Sequence, residues 1–152
     1  PLFWEGMKNG MAWQTPKTDW KIQPVDENGR YNGDWFNIAD YNRITGNIEV
    51  LYALAQELYP GFSIVNMPDQ TVSDFPYASI INNIENNLDS IVNSTWKPPG
   101  YPGKKTWYAN GATPTVDDLN RIEGILLSLY SAFQRQKAVR PKLSFELKGS
   151  EF

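Results

Sequence analysis

Neither histidine nor cysteine occurs among the 152 residues. Zinc sites of Cys and His, disulfides, thiol nucleophiles and any triad with an imidazole base are therefore excluded. Proton transfer is left to carboxylates, Lys, Tyr and hydroxyls. Paired acids exist at Asp26-Glu27 and Asp117-Asp118. A glycosidase needs two acids facing each other across a cleft roughly 5–9.5 Å apart. Adjacent acids at the start of a helix are capping residues first. Asp26-x-Asn28-Gly29, with Asn32 and Asp34, has the composition of a calcium loop. It lacks the EF-hand spacing and the closing Glu, so it reads as a polar turn. There is no P-loop and no Gly-rich dinucleotide fingerprint. The expectation is no enzyme activity, no catalytic residue, no metal and no cofactor.

Binding chemistry is better represented. Six Trp, eight Tyr and seven Phe accompany fourteen Asn. Large amphipathic rings and amides suit a contact surface, and they suit an aromatic core as well. Trp20 follows Thr15-Pro16-Lys17-Thr18-Asp19, Trp107 follows Lys104-Lys105-Thr106, and Trp35 and Trp96 flank predicted helices. Three readings stand: rings that pad long loops onto the fold, contacts with another subunit, or stacking on sugar rings. Loop packing is the first choice for these four. Phe3, Trp4 and Trp13 near the start are better placed for a subunit contact.

The elements that carry these residues come from an internal repeat. Asn42-Arg43-Ile44, Asn82-Asn83-Ile84 and Asn120-Arg121-Ile122 recur at offsets of 40 and 38 residues. Aligned on them, three apolar stripes coincide: Tyr41, Ile44, Ile48, Leu51, Ala55, Leu58; Ile81, Ile84, Leu88, Ile91; Leu119, Ile122, Leu126, Leu129, Phe133. The alternating 3 and 4 spacing is that of a helix with one buried face. Asn37 with Asp40, and Thr115 with Asp118, resemble capping boxes with an acid in place of Glu or Gln. The spacing predicts helices at about 38–58, 76–94 and 115–136, with Pro60, Pro98-Pro99 and Pro141 after their ends. The fold class is mainly α: three repeated helices packed as a three-helix bundle. The connecting loops are long, aromatic and rich in Pro and Gly. Links of this length can run back along a helix, so parallel and antiparallel bundles are both open. Short strands are entertained at 62–65 and 142–147.

In this scheme residues 1–14 form an N-terminal arm or the end of a preceding domain, and 15–136 form the repeat domain. Residues 137–148 form a basic tail, and 149–152 read like a cloning scar. Whether Pro1 is a native start is open. Arg43 can pair with Asp40 and Arg121 with Asp118. Asn42, Asn82 and Asn120 can bond the backbone of an incoming loop. Asn83 stands where the other two copies have arginine. The structural reading of these six anchors is preferred over a ligand contact.

The net charge is −3. Residues 1–100 carry six basic and twelve acidic groups, and the remainder eight and five. Lys137, Arg140, Lys142 and Lys148 make too weak a stripe to suggest nucleic acid. No apolar run approaches the ~18 residues of a membrane span, so no membrane association is expected.

Three stretches resemble tail- and baseplate-associated minor structural proteins of phages that infect Gram-positive bacteria. The first is Thr15-Pro16-Lys17-Thr18-Asp19-Trp20 followed by Phe36-Asn37-x-x-Asp40-Tyr41-Asn42-Arg43-Ile44 and Asn47. The second is Phe75-Pro76-Tyr77-Ala78-Ser79 with Asn82-x-Ile84-Glu85-Asn86-Asn87. The third is Pro114-Thr115 leading to Leu119-Asn120-Arg121-Ile122-Glu123. The resemblance covers about residues 13–135 and carries no catalytic residues. It implies a non-enzymatic structural or connector module of a virion, in the tail, baseplate or adsorption apparatus. Its partners would be other virion proteins, and a homo-oligomer is expected. The alternative is a module that binds a host cell-wall glycan through its loop aromatics.

Overall fold

The computed structural model describes residues 12–22, 25–31, 33–34, 36–68 and 78–150, with side chains described as far as residue 139. Among them lie three helices and no strand: α1 (Ile38–Leu58), α2 (Ala78–Ser94) and α3 (Val116–Ser150).

The start of α1 follows from a capping box. Asn37 is extended, its side chain accepts from the Asp40 amide at 3.0 Å, and the Asp40 carboxylate accepts from the Asn37 amide at 3.0 Å. Two otherwise orphaned N–H groups are satisfied. Thr115 and Asp118 repeat the arrangement before α3, at 3.3 Å and 2.9 Å. Helix α1 ends at Leu58, just before Pro60, which has no N–H to continue the ladder.

Helix α3 departs from expectation. It does not end before Pro141 but continues to Ser150, so the expected basic tail at 137–148 and the entertained strand at 142–147 are both helical. Pro141 removes one i→i−4 hydrogen bond. The preceding Gln134-Arg135-Gln136-Lys137-Ala138 run is made of strong helix formers, and the helix continues past the gap. The entertained strand at 62–65 is also absent; that segment lies extended without strand pairing.

Helices α1 and α3 run parallel. Arg43 meets Glu123 at 2.8 Å near their starts, and Glu57 meets Lys137 at 3.4 Å near the end of α1, so both pairs are offset by the same number of residues. Tyr59 donates to Gln136 at 2.6 Å at that same end. The first turns of α2 join the first turns of α1 and α3 around a common cavity lined by Ile44, Ile81, Ile84, Leu119 and Ile122. With its stripe buried as far as Ile91 and Val92, α2 is parallel to both.

Every residue of the three stripes is buried. All of them but Leu119 form one core, together with Met67, contributed by the segment after α1. Parallel helices need connections that return the full length of the bundle. This is the physical reason for the long links, whose segments at 62–67 and 101–107 lie against the helices.

Candidate functional site

Three extended segments, called straps here, occupy grooves of the bundle: residues 12–20 between α1 and α3, 62–67 against α1 and α2, and 101–107 between α2 and α3. They are fixed by one recurring device. The amide of an Asn offers an acceptor and a donor side by side, and so can bond the N–H and C=O of a single residue as a neighbouring strand would. Asn47 holds Gln14 at 2.8 and 2.7 Å. Asn87 holds Val65 at 2.9 and 2.7 Å. Asn82 holds Trp107 at 2.7 Å in both directions. Asn120 holds Trp20 at 2.8 and 2.9 Å. Anchors Asn82 and Asn120 therefore bond incoming segments, and the segments they bond carry the tryptophans.

One helical turn beyond these two anchors sits a glutamate that takes the indole N–H of the same tryptophan. Glu123 accepts from Trp20 Nε1 at 2.5 Å, and Glu85 accepts from Trp107 Nε1 at 3.1 Å. Each glutamate is neutralised by the anchor arginine of a neighbouring helix. Arg43 of α1 reaches Glu123 of α3 through Nε and Nη2 at 2.9 and 2.8 Å. Arg121 of α3 reaches Glu85 of α2 through Nη1 and Nη2 at 3.0 and 2.5 Å. The i,i+3 pairs are present too: Arg43–Asp40 at 2.7 Å and Arg121–Asp118 at 3.7 Å. Burial opposes the charged form of both guanidiniums. Hydrogen bonds to Glu123 and Asp40 for Arg43, and to Glu85 for Arg121, outweigh it and hold both pKa values above the ordinary one.

The direction of these pairs explains why the middle anchor carries Asn83. An arginine on each helix points to a glutamate on the next, α1 to α3 and α3 to α2. A third pair would run from position 83 on α2 to position 45 on α1. The chain has Asn83 and Thr45 there, so both halves are missing together. Thr45 is fully buried and bonds the Asn42 carbonyl at 3.3 Å. An acid in its place would be a buried charge with no counter-ion, which is strongly unfavourable.

The remaining tryptophans divide. Trp13 lies flat on Tyr130, ring centroids 3.9 Å apart and 4° between planes. Trp20 is buried, 5.9 Å from Phe36, with Lys17 Nζ and the Arg43 guanidinium 5.3 and 5.9 Å from its ring. Trp96 and Trp107 are half-buried against the core. Phe3, Trp4 and Trp35, also expected as contacts, lie outside the described residues. The structure thus brings Trp13 and Trp20 together in one groove and places Trp107 in another.

Trp107 also borders the cavity at the helix starts, about 960 Å³ in volume, whose outer wall is the loop from Tyr108 to Pro114. In that loop Gly111 N donates to Tyr108 O at 3.0 Å, Asn110 takes a left-handed φ of 62°, and Tyr108 is 72% exposed. Nearby, Lys105 pairs with Asp118 at 2.5 Å. Burial pushes the Asp118 carboxyl up, but hydrogen bonds from Lys105 and Thr115 prevail and hold it below the ordinary value. Tyr101, half-buried and donating to Asp89 at 2.6 Å, has its phenol raised by burial and by that carboxylate.

The acids at Asp26 serve a turn, as the sequence suggests. The carboxylate accepts from the Asn28 and Arg30 amides at 2.9 and 2.8 Å, Gly29 takes φ 75°, and Val25 bridges Tyr31. Among the described residues no group of three or more acids could hold a metal, and no helix is long and apolar enough to cross a membrane. Glu85, Glu123, Asn47 and Asn87 were not distinguishable as site residues beforehand. The usable signal was the recurrence of Asn-x-x-Glu at 82–85 and 120–123.

No protein-family model matches the chain, and neither the curated proteins nor the solved structures compared with it give a match.

Proposed function

We propose that this chain is a non-enzymatic structural connector of a phage tail, baseplate or adsorption apparatus, built as a threefold repeat and acting through contacts with neighbouring virion subunits. One observation carries the reading. Among the described residues, two Arg–Glu–Trp stations and four Asn clamps put buried polar groups to fixing extended straps to a parallel bundle. Such a design holds loops and an arm in place for other subunits to grip. Repeat architectures favour extended contact surfaces of this kind. The acids at the heart of the bundle, Glu85, Glu123, Asp40 and Asp118, each face a cation. That leaves none of these four as a free general acid or base. The equal offsets along α1 and α3 and the matched Asn-x-x-Glu stations support the repeat.

Light scattering after size exclusion, with electron microscopy of the source particle, tests this reading. A stable oligomer, or density for the domain between virion subunits, is expected. A monomer absent from every particle overturns it.

The cavity beside Trp107, Tyr108, Asn82 and Asn110 favours a second reading, a site for host cell-wall saccharide. Titration of wall fragments with Trp fluorescence would show saturable quenching lost on Tyr108→Ala. Unchanged fluorescence at millimolar saccharide would overturn it. Trp20 and Trp13, buried or already stacked, are not available to such a ligand.

A further inference from the structure

We propose that the cavity at the helix starts binds an aliphatic chain that carries a neutral, hydroxylated head. The chain lies inside, and the head sits at a rim of Ser79, Tyr108 and Asn110. This rests on the saccharide reading of the same cavity and sharpens its ligand: the sugar is the head, and the chain supplies the affinity.

The interior is aliphatic. Ile81, Ile84, Leu119 and Ile122 line it from the helices, and Ala112 and Pro114 line it from the loop. The polar side chains beside those residues are already committed. Both ends of the Asn82 amide hold the main chain of Trp107, and the Trp107 indole N–H goes to Glu85. A sugar ring placed there would bury hydroxyls without partners, which opposes binding. A hydrocarbon chain has no such groups and gains by leaving water. The volume of about 960 Å³ falls within the range of about 300–1,000 Å³ typical of small-molecule sites.

The rim is polar and uncharged. Ser79, Tyr108 and Asn110 are exposed, and their side chains make no hydrogen bond among the described residues. No charged side chain is among the described residues that line the cavity. Glu85, which holds the Trp107 indole, is itself paired with Arg121. A carboxylate or phosphate head would find no counter-ion on this wall, whereas hydroxyls find two hydroxyls and an amide. Trp107 is fixed at its main chain and its indole, so it forms a wall that needs no ordering when a ligand binds.

The repeat explains why the space lies beside Trp107 and not beside Trp20. Before α1, the residue ahead of the Asn37 cap is Phe36, whose ring packs 5.9 Å from that of Trp20. Before α3, the residue ahead of the Thr115 cap is Pro114. The smaller residue supplies no ring to cover the indole, so Trp20 is buried while Trp107 stays half-buried at the cavity.

The test titrates the full, ¹⁵N-labelled chain with methyl, hexyl and octyl glucoside, each below its micelle concentration. Amide shifts at 107–114 and the Trp107 indole N–H report the site. Methyl glucoside should leave them unmoved at millimolar concentration. Octyl glucoside should bind roughly tenfold tighter than hexyl glucoside, since each buried methylene is worth about fourfold. Octanoate, with a charged head, should bind clearly more weakly than octyl glucoside. Ala112→Trp, which fills the cavity from an exposed loop, should abolish the octyl glucoside shifts with the melting temperature unchanged. Ala109→Phe serves the same purpose if that variant does not fold. Affinity independent of chain length, shifts confined to other regions, or binding that survives the filled cavity overturns the proposal. Wall fragments titrated alongside separate the two readings. Fragments that bind while octyl glucoside does not overturn the chain and leave the saccharide reading standing. Octyl glucoside that binds while the fragments do not upholds the chain and removes the free-saccharide reading. No shift from either overturns both.

Discussion

In the groove between α1 and α3, Glu123 is fully buried and accepts four hydrogen bonds, from Lys17 N, Trp20 Nε1, Arg43 Nε and Arg43 Nη2. In the groove between α2 and α3, Glu85 is nearly as buried and, among the described residues, accepts three, from Trp107 Nε1 and the two terminal nitrogens of Arg121. Arg43 binds side-on and uses its Nε. Arg121 binds end-on, and its Nε is buried without a partner among the described residues. Trp20 is 4% exposed beneath two cations, whereas Trp107 is half-buried at the edge of a large cavity. One device has been finished to two standards. The closed station fixes the N-terminal strap, and the open one leaves donor capacity and space beside the Tyr108–Pro114 loop. A buried donor left unpaired costs about 1–3 kcal/mol. The open station should therefore be the weaker of the two.

Substitutions can break this contrast, and the glutamates give the largest effect. Glu123→Ala strands the Trp20 indole and leaves Arg43 with Asp40 alone, and a loss of about 3–5 kcal/mol is expected from breaking a buried pair. Urea denaturation should show Glu85→Ala losing clearly less, and equal losses would erase the distinction. Trp20→Ala should cost about 3–5 kcal/mol, as for a large buried aromatic. Trp107→Ala should fall well short of that on the same denaturation curves.

The missing third pair gives a sharper probe. Thr45→Glu alone should destabilise by several kcal/mol, since it buries an unpaired acid. Adding Asn83→Arg should recover part of that loss, with a coupling of about 0.5–3 kcal/mol in a double-mutant cycle. Zero coupling would show that the ring direction inferred from the other two pairs is wrong. Asn120→Ala and Asn82→Ala each leave one strap N–H and C=O unpaired. About 1–3 kcal/mol is expected for each, the larger at Asn120.

The smallest effect is the pH dependence at Asp118. Its folded pKa lies below the unfolded value, so its contribution is fully present above the unfolded value and fades as pH falls through the folded one. Lys105→Met should shrink this acid-side loss by under about 1 kcal/mol, because Lys105 is half exposed. Melting temperatures between pH 6 and pH 2 would show it, and an unchanged profile would remove Lys105 as a cause.

Much of the scaffold was legible because it rests on local or periodic rules. The Asn37–Asp40 and Thr115–Asp118 boxes mark two helix starts, and the 3-4 stripes name the core facing them. That the anchor amides Asn82 and Asn120 meet incoming loops followed from the competition of Asn with backbone partners. Glu85 and Glu123 were illegible as site residues because an isolated helical acid reads as a solvated face. Their burial is justified only by an arginine and an indole from distant segments. Met67 was missed because a lone methionine in a Pro-flanked loop has no periodicity to betray it. The continuation of α3 was missed because Pro141 weighed more than the helix formers before it. The paired absence at Asn83 and Thr45 could be seen only once the direction of the other two pairs was known.

Hydrogen exchange of the two indole N–H groups, followed by NMR, tests the central contrast most directly. The account predicts that the Trp20 indole exchanges only through global unfolding, with a protection free energy matching that from denaturation, while the Trp107 indole exchanges measurably faster through local opening. Equal protection, or greater protection at Trp107, would contradict it.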